Sequence, residues 1–307
     1  MSDPYSTAPA PAPRSGLSTA AKVAIAAVAV VVIGLIGVGG FGAFMIGAIA
    51  SDHLATLKVL DKVRNDNNGI GAQLKQSSPI SASAFSGSNP DFATMQKTIK
   101  DLSAQFVSSG TTLNADLKSL RTEDARIKGK ETSIQGSLGR TQYETDRRRV
   151  ESATGAFVAG GELLGVLEHQ FAYYDKLAAA LVAFDAMTAK ASTTPPDLAG
   201  ALALYPPLDA AIGTSVSAAS DPSVSPQHKA LTTALQTIVA DFKALLVAAQ
   251  AQDSAAAQAA LSKIQTDQTA FTGFDDKAFQ AWEAALLKPY QDRYDKGLRG
   301  AGWTVTA

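Results

Sequence analysis

The chain has 307 residues, of which 46% are hydrophobic and 18% charged, a composition typical of a folded protein. Its net charge of -1 implies no general attraction to nucleic acid, and the absence of cysteine excludes disulfides, thiol catalysis and cysteine-ligated metals. The Ala- and Leu-rich composition, with 7% aromatic residues, favours helices over strands.

The chain begins with a Pro- and Ala-rich segment, and we predict that residues 1–19 form a disordered tail. Alternating Ala and Pro between Met1 and Gly16 cannot form a regular hydrogen-bond ladder.

A long uncharged block follows and predicts a transmembrane helix at residues 20–50. Lys22 and Asp52 bracket about 29 uncharged residues, whereas about 20 helical residues cross the hydrocarbon core. The block has no polar stripe, which the core helix of a water-soluble protein would show. No further membrane span is expected after residue 51.

The end of this block leaves two interpretations open. Small residues at Ala48–Ser51 fit a signal-peptidase site, so the protein could be cleaved after Ala50 and secreted. The apolar run is about twice as long as a usual signal-peptide core, which favours a permanent anchor.

The orientation of the anchor follows from its short amino-terminal tail. Positive charges are nearly balanced, with Arg14 and Lys22 before the block and Lys58, Lys62 and Arg64 after it. A lone anchor with a short tail and a long following domain favours a cytoplasmic amino terminus and an extracytoplasmic domain in the cell membrane.

Small residues on one face of the block suggest self-association. Gly39, Ala43 and Gly47 are spaced by four, which lets two membrane helices approach closely. The alternative is that small residues are simply common in such helices.

Residues 51–192 are predicted to form the first half of an antiparallel helical bundle. Asn89 and Pro90 indicate a helix start, with Asn as the cap and Pro in the first turn. A coiled-coil-like seam follows at a spacing of seven: Ile99, Phe106, Leu113, Leu120, Ile127 and Ile134. Polar residues at Ser109, Asp116, Asp124 and Glu131 break its second row, which favours packing inside a bundle over a free dimer.

The segment from Arg121 to Glu151 carries many charges of both signs. It is either a binding surface around Arg147, Arg148 and Arg149, or a solvated distal turn between two long helices. Interleaved acidic residues neutralise most of the patch and favour the turn. A second amphipathic run then contains Leu163, Leu167, Tyr174, Leu181 and Phe184.

Prolines 195 and 196 mark the boundary to the second half of the bundle, residues 193–307. Ser225 with Pro226 and then Asp253 indicate two helix starts, and a last helix covers about residues 275–296. Pro289 makes its continuation uncertain. The end of the chain is either frayed or a short piece packed through Trp303 and Val305.

The sequence contains no catalytic, nucleotide-binding or metal-binding motif, so we expect no enzyme, no cofactor and no bound metal. Glu168 and His169 are adjacent, which lacks the Glu-x-x-His spacing of bundle di-iron sites. His169, Tyr173 and Tyr174 are a weak candidate for a ligand pocket between helices, with core packing as the alternative.

These features predict an all-α protein with one amino-terminal membrane helix, acting by binding or scaffolding. Its expected partners are the lipid bilayer, a second copy through the membrane helix, and an extracytoplasmic protein or small ligand, but not nucleic acid. The alternative is a small-molecule sensor that signals through a separate partner.

Overall fold

The computed structural model describes residues 40–76, 91–272 and 275–304, which form helices and turns without a strand. The helices are α1 (Gly40–Gln76), α2 (Phe92–Glu131), α3 (Ile134–Ala191), α4 (Leu198–Ala203), α5 (Tyr205–Ala219), α6 (Pro226–Gln250), α7 (Ser254–Thr272) and α8 (Asp276–Gly300). The all-α prediction is therefore confirmed for these residues. The predicted tail and most of the predicted membrane helix lie outside them.

The described residues group into two compact units. The first unit contains residues 40–57 and 127–146, and the second contains the described residues within 58–126 and 147–307. Each of the three longest helices contributes residues to both units. The predicted division into residues 51–192 and 193–307 stays a prediction.

Side-chain caps fix several helix starts. Ser225 Oγ accepts from the backbone N–H of His228 at 3.1 Å and Pro226 occupies the first turn of α6, which confirms the predicted start. Asp253 caps α7 as predicted, since its carboxylate accepts from two backbone N–H groups. Helix α2 begins at Phe92 with Asp91 as its cap. Asn89 and Pro90 lie outside the described residues.

The apolar seam of α2 packs inside the chain. Ile99, Phe106, Leu113, Leu120 and Ile127 are buried as the spacing predicted, whereas the side chain of Ile134 is outside the described set. In the second unit, α2 and α3 are antiparallel neighbours, because successive residues of α2 meet successively earlier residues of α3: Ile99 packs near Ala178, Phe106 against Phe171, and Leu113 against Gly160.

Helix α3 buries Leu181 of the predicted seam, and Tyr174 and Phe184 are partly buried against the same core. Its most buried side chains in the main core are Tyr173, Leu177, Ala180, Leu181 and Met187. The same core contains residues of α4, α5 and α6, including Ala201, Leu208 and Leu235, and therefore continues across the predicted boundary at residue 193. A helix covered by several neighbours buries a broader face than a seven-residue seam describes.

The last helix continues through Pro289 to Gly300. Proline removes one helical hydrogen bond, and Pro289 is exposed, so its ring meets solvent and not the core. Trp303 then packs edge-on against Phe157 of α3 at 6.2 Å between ring centroids, which confirms the packed alternative for Trp303. Val305 is outside the described residues.

Two described helical segments are long and apolar enough to cross a membrane, Gln135–Ala191 and Pro226–Gln250. The expectation that no further membrane span follows residue 51 stays a prediction. A core helix in a water-soluble protein has the same length and composition. One face of α6 is indeed buried in the main core, through Leu235, Val239 and Leu246.

Candidate functional site

A polar network joins the residues that directly follow the uncharged block to the start of α3. Asp146 is buried, and both of its carboxylate oxygens lie 2.9–3.0 Å from Nδ1 of His53. Gln142, one turn earlier on α3, donates its amide N–H to the same carboxylate at 3.1 Å. A carboxylate only accepts hydrogen bonds, so the contact with Asp146 needs the proton of His53 on Nδ1. The amide nitrogen of Gln142, 2.8 Å from the same Nδ1, then donates to Asp146 and not to the imidazole.

Asp52 forms the other half of this network. The buried Tyr143 donates its hydroxyl to Asp52 Oδ2 at 2.9 Å, and Lys130 Nζ lies 3.2 Å from the same oxygen. Thus Lys130 at the end of α2 and Tyr143 on α3 converge on one carboxylate of α1. We call these six residues, Asp52, His53, Lys130, Gln142, Tyr143 and Asp146, the α1 network.

The α1 network is a set of contacts that hold α1 to the end of α2 and the start of α3. His53 contacts Gln142 and Asp146, so α3 orients the imidazole. A carboxylate that orients an imidazole occurs in hydrolytic triads, but there the other ring nitrogen faces a nucleophile. Here the hydrogen bonds run between helices distant in sequence, so they set the position of α1 on the α2–α3 turn.

The turn between α2 and α3 lies against the carboxyl-terminal end of the uncharged block. A Cβ placed on Gly139 would stand 3.0 Å from Ile49 Cδ1 and 3.0 Å from Tyr143 Cε2, so the glycine permits this close approach. Gly139 also has non-helical dihedral angles, φ -104° and ψ 17°, which mark a kink in α3. Leu138, just before the kink, is 64% exposed.

This location corrects the prediction for the charged segment between Arg121 and Glu151. It does contain the turn between two long helices, at residues 132–133. The turn is not distal from α1, because Lys130 and Gly139, on either side of it, lie against Asp52 and Ile49 of that helix. Arg149, from the predicted arginine patch, donates to the backbone carbonyl of Ala301 at 3.1 Å.

The three residues of the predicted ligand pocket have different surroundings. His169 is exposed, and its Nδ1 lies 2.7 Å from Asp221 Oδ2. Tyr173 is buried and donates to the carbonyl of His228 at 3.1 Å, with Thr232 Oγ1 at 2.8 Å. Tyr174 packs among Phe171, Tyr173 and His228. The two tyrosines are thus together in the second unit, and His169 contacts other groups.

An aromatic cluster surrounds the buried His228. Tyr173, Tyr174 and Phe279 place their ring centroids 5.7, 5.2 and 4.9 Å from the imidazole. Burial lowers the pKa of His228 to about 4, and burial also raises the pKa of Tyr173 to about 12. His228 is therefore neutral at pH 7, and its Nδ1 lies 2.8 Å from Ser225 Oγ.

The lowered pKa of His228 makes stability depend on pH. The unfolded histidine binds a proton near pH 6.5, whereas the folded one does so only near pH 4. Between these values the unfolded state holds more protons, so the free energy of unfolding falls as the pH falls through this window. At pH 5 the loss from this group is about 2 kcal/mol.

Glu283 gives the aromatic cluster a carboxylate neighbour. Burial raises its pKa, and its proximity contributes to the raised pKa of Tyr174, after the larger contribution of burial. Phe279 and Trp282 stack at 6.3 Å beside it on α8. Aromatic faces with an acidic group are the environment that organic cations prefer.

A second buried carboxylate, Asp116 of α2, lies under Lys62 of α1. Lys62 Nζ is 3.0 Å from Asp116 Oδ1, and Oδ2 is buried without a hydrogen-bond partner. Burial raises the pKa of Asp116 despite the nearby ammonium, while hydrogen bonds to Asp66 and Asp116 raise the pKa of Lys62. The two shifts differ in what they say of the ion pair: the charged form of Lys62 is favoured and that of Asp116 is disfavoured. The difference arises because desolvation is the largest effect on the buried carboxylate and a smaller one on the exposed lysine.

Among the residues that the structure describes, no group of three or more His, Cys, Asp or Glu side chains is placed to hold a metal ion. Comparison of the chain with protein families, with curated proteins and with solved structures finds no match.

The α1 network was not predicted from the sequence. Asp52 was noted only as the end of the uncharged block, and Gln142, Tyr143 and Asp146 belonged to a segment interpreted as a solvated turn. The one local signal is the four-residue spacing of Gln142 and Asp146, which places both on one face of a helix. Their partners are about 90 residues away in sequence, and local spacing does not reveal them.

Proposed function

We propose that the chain is a membrane-anchored helical-bundle protein that acts by binding, with a cytoplasmic amino terminus and an extracytoplasmic bundle. The carrying observation is that α1 begins at Gly40, inside the uncharged block, and continues without a break to Gln76. The anchor and the first helix of the bundle are then one helix, which would couple the membrane segment directly to the domain.

The same continuity favours a retained anchor over cleavage. The potential cleavage point after Ala50 lies within α1, and the α1 network engages the next residues, Asp52 and His53. Cleavage there would remove the first turns of a helix that packs against Tyr143 and Gly139. The secreted alternative requires that this segment be extended when the protease meets it.

Fractionation of cells that express the full chain, tagged at both ends, tests the anchor. We expect both tags in the membrane pellet after alkaline extraction, with the carboxyl-terminal tag accessible to external protease once any outer barrier is opened. Val31→Arg is the matched variant, because an arginine near the middle of a membrane helix costs about 3 kcal/mol on insertion. A soluble product, or a mature form beginning at Ser51, would overturn the anchor.

Binding rather than catalysis is proposed for two reasons. The side chains of the α1 network bond to one another, and the hydroxyl of Tyr173 in the aromatic cluster bonds to His228 and Thr232. Exposed apolar side chains on the bundle, Val247 and Leu261, are natural positions for a photo-crosslinking residue. We expect a discrete adduct at one of them in intact cells. If neither position gives an adduct, the binding role is withdrawn.

Self-association through Gly39, Ala43 and Gly47 stays a prediction, since Gly39 and the side chain of Ala43 lie outside the described residues.

The aromatic cluster with Glu283 favours the second candidate, a small-molecule sensor. The ligand class that suits Tyr174, Phe279 and Glu283 is an organic cation. Thermal-shift measurement with quaternary and primary amines tests it, with Glu283→Gln as the variant that should abolish any shift. No shift with any amine would exclude this candidate.

A further inference from the structure

We propose that the turn between α2 and α3 is a second membrane contact, in which Leu138 enters the headgroup–acyl boundary beside the anchor. This inference rests on the proposed anchor, because it takes the outer end of the uncharged block as the reference for the bilayer surface. The turn is defined here as residues 130–140.

The height of the turn follows from its contact with α1. Gly139 approaches Ile49, which lies two residues before the end of the uncharged block at Ser51. If helical throughout, that block is about 43 Å long, which matches a bilayer of about 40–45 Å including its headgroups. Ile49 is then at headgroup level, and the turn beside it is at the same level.

The chemistry of the turn fits that level. Leu138 is the most exposed large apolar side chain among the described residues, and it lies next to Gly139 rather than facing a core. Lys128, just before the turn, and Arg140, its last residue, are exposed. Long basic side chains reach lipid phosphates while a neighbouring apolar side chain enters the acyl boundary.

The α1 network holds the turn in this position. Lys130 and Tyr143 bind Asp52, and Asp146 binds His53, so contacts on both sides of the turn fix it to α1. A turn that is fixed to a membrane helix stays at one depth relative to the bilayer, so the same residues face the lipid at all times. Leu138 therefore does not depend on a conformational change to reach lipid.

The absence of cysteine makes a direct test available, since single cysteines can be introduced and labelled without background. The full chain carries an environment-sensitive fluorophore at Leu138→Cys, Gly47→Cys or Val107→Cys, and is reconstituted in phosphatidylcholine vesicles with or without nitroxide-labelled phosphatidylcholine. Gly47 reports on the anchor, because a Cβ there meets nothing within 4 Å. Val107 on α2 is the matched control, an apolar side chain that is 54% exposed.

We expect nitroxide lipid to quench the labels at Gly47 and Leu138 several-fold more than the label at Val107. Quenching at Gly47 with Leu138 no more quenched than Val107 would overturn this inference and leave the anchor standing. No quenching at Gly47 would overturn the anchor itself, and the inference with it. A blue-shifted Leu138 label without lipid quenching would also overturn the inference, because a protein surface such as a second copy would then cover the residue.

Discussion

The crossing of α8 over α3 offers a test in which the same replacement, Gly by Ala, should have opposite effects at two positions. A Cβ on Gly297 would lie 2.6 Å from the backbone N of Ala156 and 2.7 Å from the carbonyl O of Ser152. These are backbone atoms, so the Gly297→Ala variant can be accommodated only if the two helices move apart. Gly155, on α3 near this crossing, is exposed, and a Cβ there meets nothing within 4 Å.

The expected magnitudes follow from these distances. In both helices, replacing Gly with Ala favours the helix by about 1 kcal/mol. At Gly297 the forced separation costs about 3 kcal/mol, the upper part of the range for overpacking, because the obstacle is backbone. Gly297→Ala should therefore lower the free energy of unfolding by about 2 kcal/mol, and Gly155→Ala should raise it by about 1 kcal/mol.

Denaturant titration of the full chain in mild detergent measures both variants. Trp303 is buried against Phe157 of α3, so its fluorescence in a Trp282→Phe background reports on the same crossing. Far-UV circular dichroism should confirm that helical content is retained before unfolding. If Gly297→Ala is as stable as the parent or gains stability like Gly155→Ala, the close approach of α8 to α3 is wrong.

Three further predictions concern buried polar groups in the second unit. Between pH 7 and pH 5 the free energy of unfolding should fall by about 2 kcal/mol through His228, and His228→Gln, but not the exposed control His169→Gln, should remove that slope in titrations repeated at each pH. Lys62→Met should destabilise the folded chain by about 1–2 kcal/mol, because it leaves the Asp116 carboxylate buried without its lysine, whereas Asp116→Asn should be near neutral. Equal losses of stability in thermal melts of the two variants would contradict this asymmetry. Tyr173→Phe should cost about 1 kcal/mol, the net value of its buried hydroxyl bonds, and an unchanged unfolding midpoint would show that the hydroxyl is not bonded there.

Much of the secondary structure was predictable because it depends on neighbours in sequence. Ser225 and Asp253 cap helices where the sequence indicated, since a cap needs only a side-chain oxygen and N–H groups two or three residues later. The spacing of seven from Ile99 to Ile127 predicted buried positions on α2, because a helix brings those residues to one face. The last helix was predicted over about residues 275–296 with its continuation at Pro289 left uncertain, and α8 runs through this exposed proline, which removes one hydrogen bond without ending the helix.

The candidate sites were much less predictable. Tyr174 fitted the apolar spacing of α3, yet Tyr173 is the residue with buried hydrogen bonds, because neighbours on several sides broadened the buried face. The turn between α2 and α3 was predicted, but its place beside Ile49 was not. That place depends on which distant residues Asp52 and His53 meet.

The sequence by itself determined the helical class, the uncharged block, the helix starts and the buried stripe of α2. Each of these is set by free energies that act within a few residues along the chain. Only the tertiary structure decided that Tyr143 and Asp146 bind the residues after the block, that Gly297 faces Ala156, and that Leu138 lies exposed beside α1. Those contacts join segments far apart in sequence, and they depend on the shape and polarity of two surfaces together, which no local periodicity contains.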